Sequence, residues 1–176
     1  MRHTIPSHSY PYPASHYDDH MCLKPPLMLW AAVLYLSRAI TLPIVLAIGS
    51  FSGVNSKAID LFHRFWSVEA LIPSVIAAVV LYALGRRVPT ASRLVRWIWT
   101  HGQIFLAVSA VLDIALMVIS LIRQGEINDQ SLLSLCAAAV DGYFLVYVLA
   151  ARRVRHAFAE FPAPVDSLDP VSPAGK

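Results

Sequence analysis

Four long apolar stretches constrain the fold of this chain more than any other feature of its sequence. They cover residues 26–49, 67–84, 103–122 and 131–151, and a helix needs about 20 apolar residues to cross a bilayer. The composition agrees, because 57% of the residues are hydrophobic and only 14% are charged, against about 25% charged in a typical soluble domain. The sequence therefore predicts an all-α integral membrane protein, folded as a four-helix bundle.

The lysines and arginines beside these stretches predict how the bundle is oriented. Ten of the 14 lie in the N-terminal segment, the second loop or the C-terminal segment, three lie in the first and third loops, and Arg38 lies within the first stretch. The positive-inside rule then places both termini in the cytoplasm. We expect a His- and Pro-containing tail over residues 1–25, a membrane domain over 26–156 and a Pro-rich tail over 157–176, with both tails disordered.

Three ionisable residues fall near the middle of three different stretches. Arg38 is about 12 residues, or roughly 18 Å, into the first stretch, and Asp113 and Asp141 are each roughly 15 Å from an end of theirs at 1.5 Å per residue. Tyr35 and Thr41 lie three residues before and after Arg38, on the same helix face. These five residues are predicted to form one intramembrane polar cluster.

Two interpretations of this cluster stay open. An unpaired charge at the bilayer centre costs about 3 kcal/mol on insertion scales, so an arginine–aspartate pair could simply fix the helices in register. Alternatively, the cluster could bind a proton, an ion or a small solute, because ionisable residues within membranes are often functional. The sequence favours the first interpretation, since four helices enclose little volume and no interrupted-helix pattern is evident.

The fourth stretch also carries a spacing typical of close helix packing. Ser134, Ala138 and Gly142 repeat a small residue every fourth position, which lets two helix backbones approach each other in a membrane. We therefore predict that this face packs against another helix, either within the chain or in a partner.

No motif indicates catalysis, a cofactor or nucleic-acid binding. The sequence lacks the GxSxG, P-loop and HExxH patterns, and the basic residues follow the apolar stretches rather than forming a nucleic-acid surface. Weak metal-ligand candidates occur in the N-terminal tail, without the fixed spacing of a zinc site. They are His3, His16, His20 and Cys22. We expect Cys22 and Cys136 to be free thiols. We also expect the basic residues to contact anionic lipid headgroups.

Two segments resemble a known family. YDDHMCLKPPLMLWAAVLYLSR (residues 17–38) contains a Tyr-Asp pair, Cys-Leu-Lys, and an arginine eight residues after Trp30. FWSVEALIP (65–73), followed by GRR (85–87), continues the match. These features resemble the YfeZ-like family of bacterial inner-membrane proteins, whose function is unknown. The resemblance implies a four-span inner-membrane protein and brings no activity with it.

Two classes of function are consistent with these observations. The first is an accessory or interaction subunit of a larger membrane complex, possessing no catalytic residues and associating through its helices or as a homo-oligomer. The second is a small oligomeric transporter or channel subunit that uses Arg38, Asp113 and Asp141. Direct contacts between the arginine and the aspartates would favour the first class, and a hydrated path to them would favour the second.

Overall fold

The computed structural model describes residues 12–18, 22–50, 68–124 and 129–162. Seven helices occur in these ranges, with no strand among them. The all-α class predicted from the sequence is therefore confirmed. The helices are α1 Leu27–Leu36, α2 Arg38–Ser50, α3 Leu71–Gly85, α4 Arg93–Thr100, α5 Gly102–Gln124, α6 Asp129–Ala150 and α7 Arg152–Ala159.

Two of these helices are long and apolar enough to cross a membrane by themselves. They are α5 and α6, over Gly102–Arg123 and Ser131–Ala150. Helices α1 and α2 pass the same test only as a pair, bent by 88°, and α3 has 15 residues, fewer than a bilayer requires of an untilted helix. The described chain thus contains two or three candidate spans, where the sequence predicted four.

Helices α5 and α6 form an antiparallel hairpin. The Gln103 side-chain amide at the start of α5 donates to the Val148 carbonyl near the end of α6, at 3.1 Å. Helix α3 packs against α5, where the Ser109 hydroxyl donates to the Pro73 carbonyl at 2.8 Å. The two helices run antiparallel, because Glu69, just before α3, lies 4.0 Å from Arg123 at the end of α5. The buried residues of α1 repeat at helical spacing and form one stripe against α3, α5 and α6. This stripe comprises Leu29, Ala32, Val33 and Leu36.

Two short amphipathic helices close one end of the hairpin. Only His101 separates α4 from α5, and only Ala151 separates α6 from α7. Ser92 caps the start of α4 by accepting from the Val95 N–H, as polar N-cap residues commonly do. The Trp99 and Phe158 rings pack between α4 and α7 with their centroids 4.7 Å apart. The apolar faces of both helices are thereby buried against the bundle.

Parts of both predicted tails belong to this closed end. Leu23 is fully buried, and Tyr17 and Ala157 pack around it. Helix α7 extends to Ala159, beyond the boundary expected at residue 156. These residues fold because they bury apolar side chains against the bundle, which composition alone does not reveal. The predicted disorder of residues 1–11 and 163–176 lies outside the described residues.

We predict that Gly102→Ala destabilises the closed end of the bundle. A Cβ at this position would overlap the Phe158 ring, which is buried and packed on Trp99. Overpacking of this kind costs about 1–3 kcal/mol. A lower melting temperature in detergent, measured on the purified full chain, would confirm the expectation.

Gly142→Ala is the matched control, because nothing lies within 4 Å of its Cβ position. Alanine is favoured over glycine in a helix by about 1 kcal/mol, so this variant should melt at the same temperature or higher. Equal melting temperatures for Gly102→Ala and the wild type would contradict the predicted packing of Phe158.

Candidate functional site

The first predicted span is not one continuous helix. Helix α1 ends at Leu36, α2 begins at Arg38, and the two axes differ by 88° at Ser37. A continuous α-helix would bond the carbonyls of residues 34, 35 and 36 to the N–H groups four residues later. Here the Ile40 N–H bonds to the Ser37 carbonyl instead. The break therefore frees backbone groups inside a candidate span.

Polar side chains satisfy the three carbonyls at the break. The Ser37 hydroxyl donates to Leu34 at 3.2 Å, and Arg38 Nη1 donates to Tyr35 at 3.3 Å. The buried Ser74 hydroxyl, from α3, donates to Leu36 at 3.1 Å. In a membrane, a broken helix is tolerated only where such partners replace the lost backbone bonds.

Ser74 also acts as an acceptor at the same place. The Ala39 N–H of α2 donates to Ser74 Oγ at 3.3 Å, so one hydroxyl joins the end of α1 to the start of α2. Ser74 is 1% exposed, so its hydroxyl is shielded from solvent. The bend is thus held from outside, by a side chain on a third helix.

Arg38 lies at this break and contacts both predicted aspartates. Its Nη2 is 2.8 Å from Asp113 Oδ2 of α5. Its two terminal nitrogens face the two oxygens of Asp141 of α6 at 3.4 and 3.5 Å. The contact with Asp113 has the length of a charge-assisted hydrogen bond, whereas those with Asp141 are longer than usual.

The three charged groups differ in their access to the surroundings. Asp141 is fully buried and Asp113 is 3% exposed, while the Arg38 side chain keeps 21% of its surface exposed. Arg38 is the one cation that forms an ion pair with either carboxylate in the described part of the chain. The positive end of the α2 dipole lies at Arg38 and adds partial compensation. The carboxylates therefore outnumber the full positive charges at this site.

Tyr35 completes the cluster through its ring and its hydroxyl. The Arg38 guanidinium carbon lies 4.4 Å from the centre of the Tyr35 ring, within the range of a cation–π contact. The hydroxyl donates to the Ala137 carbonyl of α6 at 3.3 Å. Tyr35 thus links α1 to α6 two residues before the helix break at Ser37.

The structure brings together four of the five residues that the sequence grouped, namely Tyr35, Arg38, Asp113 and Asp141. Thr41 differs, because its hydroxyl donates to the Ser37 carbonyl, one turn earlier in its own segment, at 3.2 Å. Sequence reasoning missed Ser37 and Ser74. The only signal for Ser74 was one hydroxyl residue in an apolar run, which does not by itself indicate a helix break on another segment.

The predicted packing stripe on α6 is only partly covered. Ser134, Ala138 and Gly142 are half-buried, and a Cβ at Gly142 would meet open space. Among the residues that the structure describes, no other helix therefore approaches Gly142 closely. Packing of the stripe against a partner helix stays a prediction.

The weak metal candidates do not converge in the described ranges, where no three His, Cys, Asp or Glu side chains form a possible metal group. His3 and His20 lie outside those ranges. His16 packs near the Tyr12 ring, and burial raises the pKa of the Cys22 thiol above its ordinary value. Neither Cys22 nor Cys136 forms a disulfide bond, as predicted.

Arg87 joins the separate segments of the closed end. Its side chain is 5% exposed, and it donates to the Leu23 and Glu160 carbonyls at 2.9 and 3.3 Å. Its guanidinium lies 5.1 Å from the Trp99 ring centre. Burial lowers the pKa of Arg87, and nearby Cys22, Asp18 and Glu160 oppose that effect. Arg87 acts here as a structural donor, since its terminal nitrogens bond to backbone carbonyls.

A family of related sequences matches most of the chain. Residues 12–160 match the family described as "Protein of unknown function (DUF2919)". No curated protein and no solved structure matches the sequence. The matched region contains all seven helices as far as Ala159, and with them the whole Arg38 cluster.

We predict that Ser74→Ala weakens the helix break. The substitution leaves the Leu36 carbonyl and the Ala39 N–H without the hydroxyl that bonds to both, and an unsatisfied buried polar group costs about 1–3 kcal/mol. The melting temperature of the purified chain should fall accordingly.

Thr41→Val is the control for loss of a hydroxyl near the break. The Thr41 hydroxyl donates to the Ser37 carbonyl, one turn earlier in the same segment, and that carbonyl already accepts backbone N–H groups. A Thr41→Val variant that loses as much stability as Ser74→Ala would show that Ser74 has no special role there.

Proposed function

This chain belongs to the DUF2919 family of proteins of unknown function, and on that premise we propose that it is an accessory or interaction subunit of a larger membrane complex. The direct contact of Arg38 with both aspartates carries this proposal. A guanidinium has five N–H donors, and Arg38 directs its terminal nitrogens at two carboxylates and the Tyr35 carbonyl. The cluster thereby joins four helices, α1, α2, α5 and α6.

The outward surface of the hairpin supports the same proposal. Large apolar side chains are exposed along α5 and α6, and they face lipid or another membrane helix. They include Ile104, Val111, Ile122, Leu135 and Val146. Beside them, the open space at Gly142 would allow a second backbone to approach closely. A homo-oligomer and a different membrane protein are both suitable partners.

The proposed setting is the bacterial inner membrane, with four spans and both termini in the cytoplasm. The closed end carries a large excess of lysine and arginine, which the positive-inside rule assigns to the cytoplasm. Helix α3 and the bent α1–α2 pair supply the two spans beyond α5 and α6, since α3 can cross a locally thinned bilayer.

A small oligomeric transporter or channel subunit is the second candidate. The break of the first helix at Arg38 favours it, because discontinuous helices often form ion and substrate sites near the bilayer midplane. The partial exposure of the Arg38 side chain, at 21%, gives a ligand one side from which to approach.

Co-purification in mild detergent distinguishes the two candidates. An accessory subunit should retain a defined membrane-protein partner, and Gly142→Leu should weaken that association without lowering the chain's own membrane level. If the purified chain instead moves protons or ions in proteoliposomes, and Asp113→Asn and Asp141→Asn abolish this while Glu69→Gln does not, the accessory proposal is wrong. Glu69 is a suitable control because it is an exposed carboxylate outside the cluster.

We predict that neutralising the whole cluster is less damaging than removing Arg38 alone. Arg38→Met leaves two buried carboxylates unpaired, and breaking a buried ion pair typically costs about 3–5 kcal/mol. Adding Asp113→Asn and Asp141→Asn removes those charges and should restore much of the lost stability. Membrane level and melting temperature would measure this recovery.

Wild-type stability of the Arg38→Met variant would contradict a structural role for the ion pairs. If Arg38→Met accumulates and melts like the wild type, the contacts in the cluster do not hold the helices together. The cluster would then serve another purpose, and the transporter candidate would become the better one.

A further inference from the structure

Helices α4 and α7 lie side by side at one end of the α5–α6 hairpin. A hydrogen bond between Gln103 and Val148 joins the start of α5 to the end of α6. One residue separates α4 from the start of α5, and one residue separates the end of α6 from α7. The Trp99 indole N–H donates to the Ala157 carbonyl at 3.0 Å, which fixes α4 against α7. Because α5 and α6 are candidate spans, both short helices lie within about one turn of the point where the spans leave the apolar layer.

The outward face of α4 combines a cation with large apolar side chains. Arg93 is exposed, and Leu94 and Trp97 are 64% and 54% exposed. The Trp97 ring stacks on His101 at 4.7 Å, beside the start of α5. A helix that buries one apolar face in the protein and exposes a second is typical of the membrane interface, where tryptophan is enriched.

The outward face of α7 is basic. Its inner residues Val154, Ala157 and Phe158 are buried, whereas Arg152 and Arg155 are exposed three residues apart. Residues at that spacing share a helix face. The exposed faces of α4 and α7 thus bring cations and apolar side chains to the same end of the bundle.

The positive charge at this end is not neutralised within the described segments. Eight lysines and arginines lie there against two carboxylates, those of Asp18 and Glu160. Both carboxylates bind inside the closed end, since Asp18 accepts from the Cys22 N–H and Glu160 accepts from the Leu23 N–H. The eight cations are Lys24, Arg86, Arg87, Arg93, Arg96, Arg152, Arg153 and Arg155.

Two of these cations are committed to internal contacts and others are free to bind a ligand. Arg87 donates to the Leu23 and Glu160 carbonyls. Arg96 donates to the Pro89 and Pro162 carbonyls at 2.7 and 3.0 Å. By contrast, Arg93, Arg152 and Arg155 form no ion pair in the part of the chain that the structure describes. At the other end of the hairpin, Arg123 lies 4.0 Å from Glu69.

We propose that the outward faces of α4 and α7 form a binding surface for anionic phospholipid headgroups. Arg93, Arg152 and Arg155 contact the lipid phosphates, and Leu94 and Trp97 lie among the glycerol and upper acyl groups. A soluble acidic partner would satisfy the arginines but would leave the two apolar side chains in water. This inference does not depend on whether the chain is an accessory subunit or a transporter.

Lipid titration of the purified full chain tests the proposal. Phosphatidylglycerol and phosphatidylcholine are added separately in mild detergent, and bound lipid is counted by native mass spectrometry. Phosphatidylglycerol should bind at least about fivefold more tightly, because one arginine near an anionic surface contributes about that factor. Arg93→Gln, Arg152→Gln and Arg155→Gln should each weaken phosphatidylglycerol binding by roughly fivefold.

Arg123→Gln is the matched control, because it removes one exposed arginine, 73% of whose side-chain surface is accessible, from the opposite end. It should leave phosphatidylglycerol binding unchanged within about twofold. Equal binding of the two lipids would overturn the proposal, and so would an Arg123→Gln effect as large as that of Arg152→Gln. Displacement of the lipid by free glycerol phosphate at comparable concentration would also overturn it, since the apolar side chains would then contribute nothing.

Salt dependence of the wild-type chain gives a second measurement that needs no variant. Raising sodium chloride from about 50 mM to about 500 mM shortens the screening length and should weaken phosphatidylglycerol binding severalfold while leaving phosphatidylcholine binding unchanged. Phosphatidylglycerol binding that is insensitive to salt would exclude the arginine contacts as its cause.

Discussion

The ion pairs of Arg38 with Asp113 and Asp141 are the interaction on which the rest of this bundle depends. They join the start of α2 to α5 and α6 at mid-bundle, where the apolar surroundings make an unpaired charge costly. Hydrophobic burial drives little association between helices that are already in lipid. Directional polar contacts such as these can therefore select one arrangement of the helices over others.

The same arginine also makes the broken first helix possible. Arg38 and Ser37 each satisfy a carbonyl at the break, and Ser74 satisfies the third. If α1 and α2 formed one straight helix, those carbonyls would need no side-chain partners. The charged cluster and the bend are thus one structure, in which α3 supplies a hydroxyl, α5 and α6 supply carboxylates, and α1 supplies an aromatic ring.

The closed end shows a different balance of forces from the middle of the bundle. Trp99, Phe158 and Leu23 are buried there and provide an apolar centre, and Arg87 holds three chain segments through backbone carbonyls. The charges that remain exposed face outward on α4 and α7. One end of the molecule is therefore both the most firmly cross-linked by side chains and the most positively charged, which suits a surface fixed at a membrane interface.

The sequence by itself determined the helical class and the grouping of four polar residues. Apolar runs of this length have few alternatives to helices in lipid. Arg38, Asp113 and Asp141 each lie near the middle of a run, so their shared depth in the membrane is enough to predict that they meet. Helical spacing places Tyr35 on the same helix face as Arg38. Depth and spacing carry no information about bonds between segments, so the role of Ser74 and the 88° bend at Ser37 were decided only by the tertiary structure. The same reason explains Thr41, which has the correct spacing but bonds to the Ser37 carbonyl of its own segment. It also explains the folded part of the N-terminal tail, where the burial of Leu23 depends on α7 and Arg87 far along the chain.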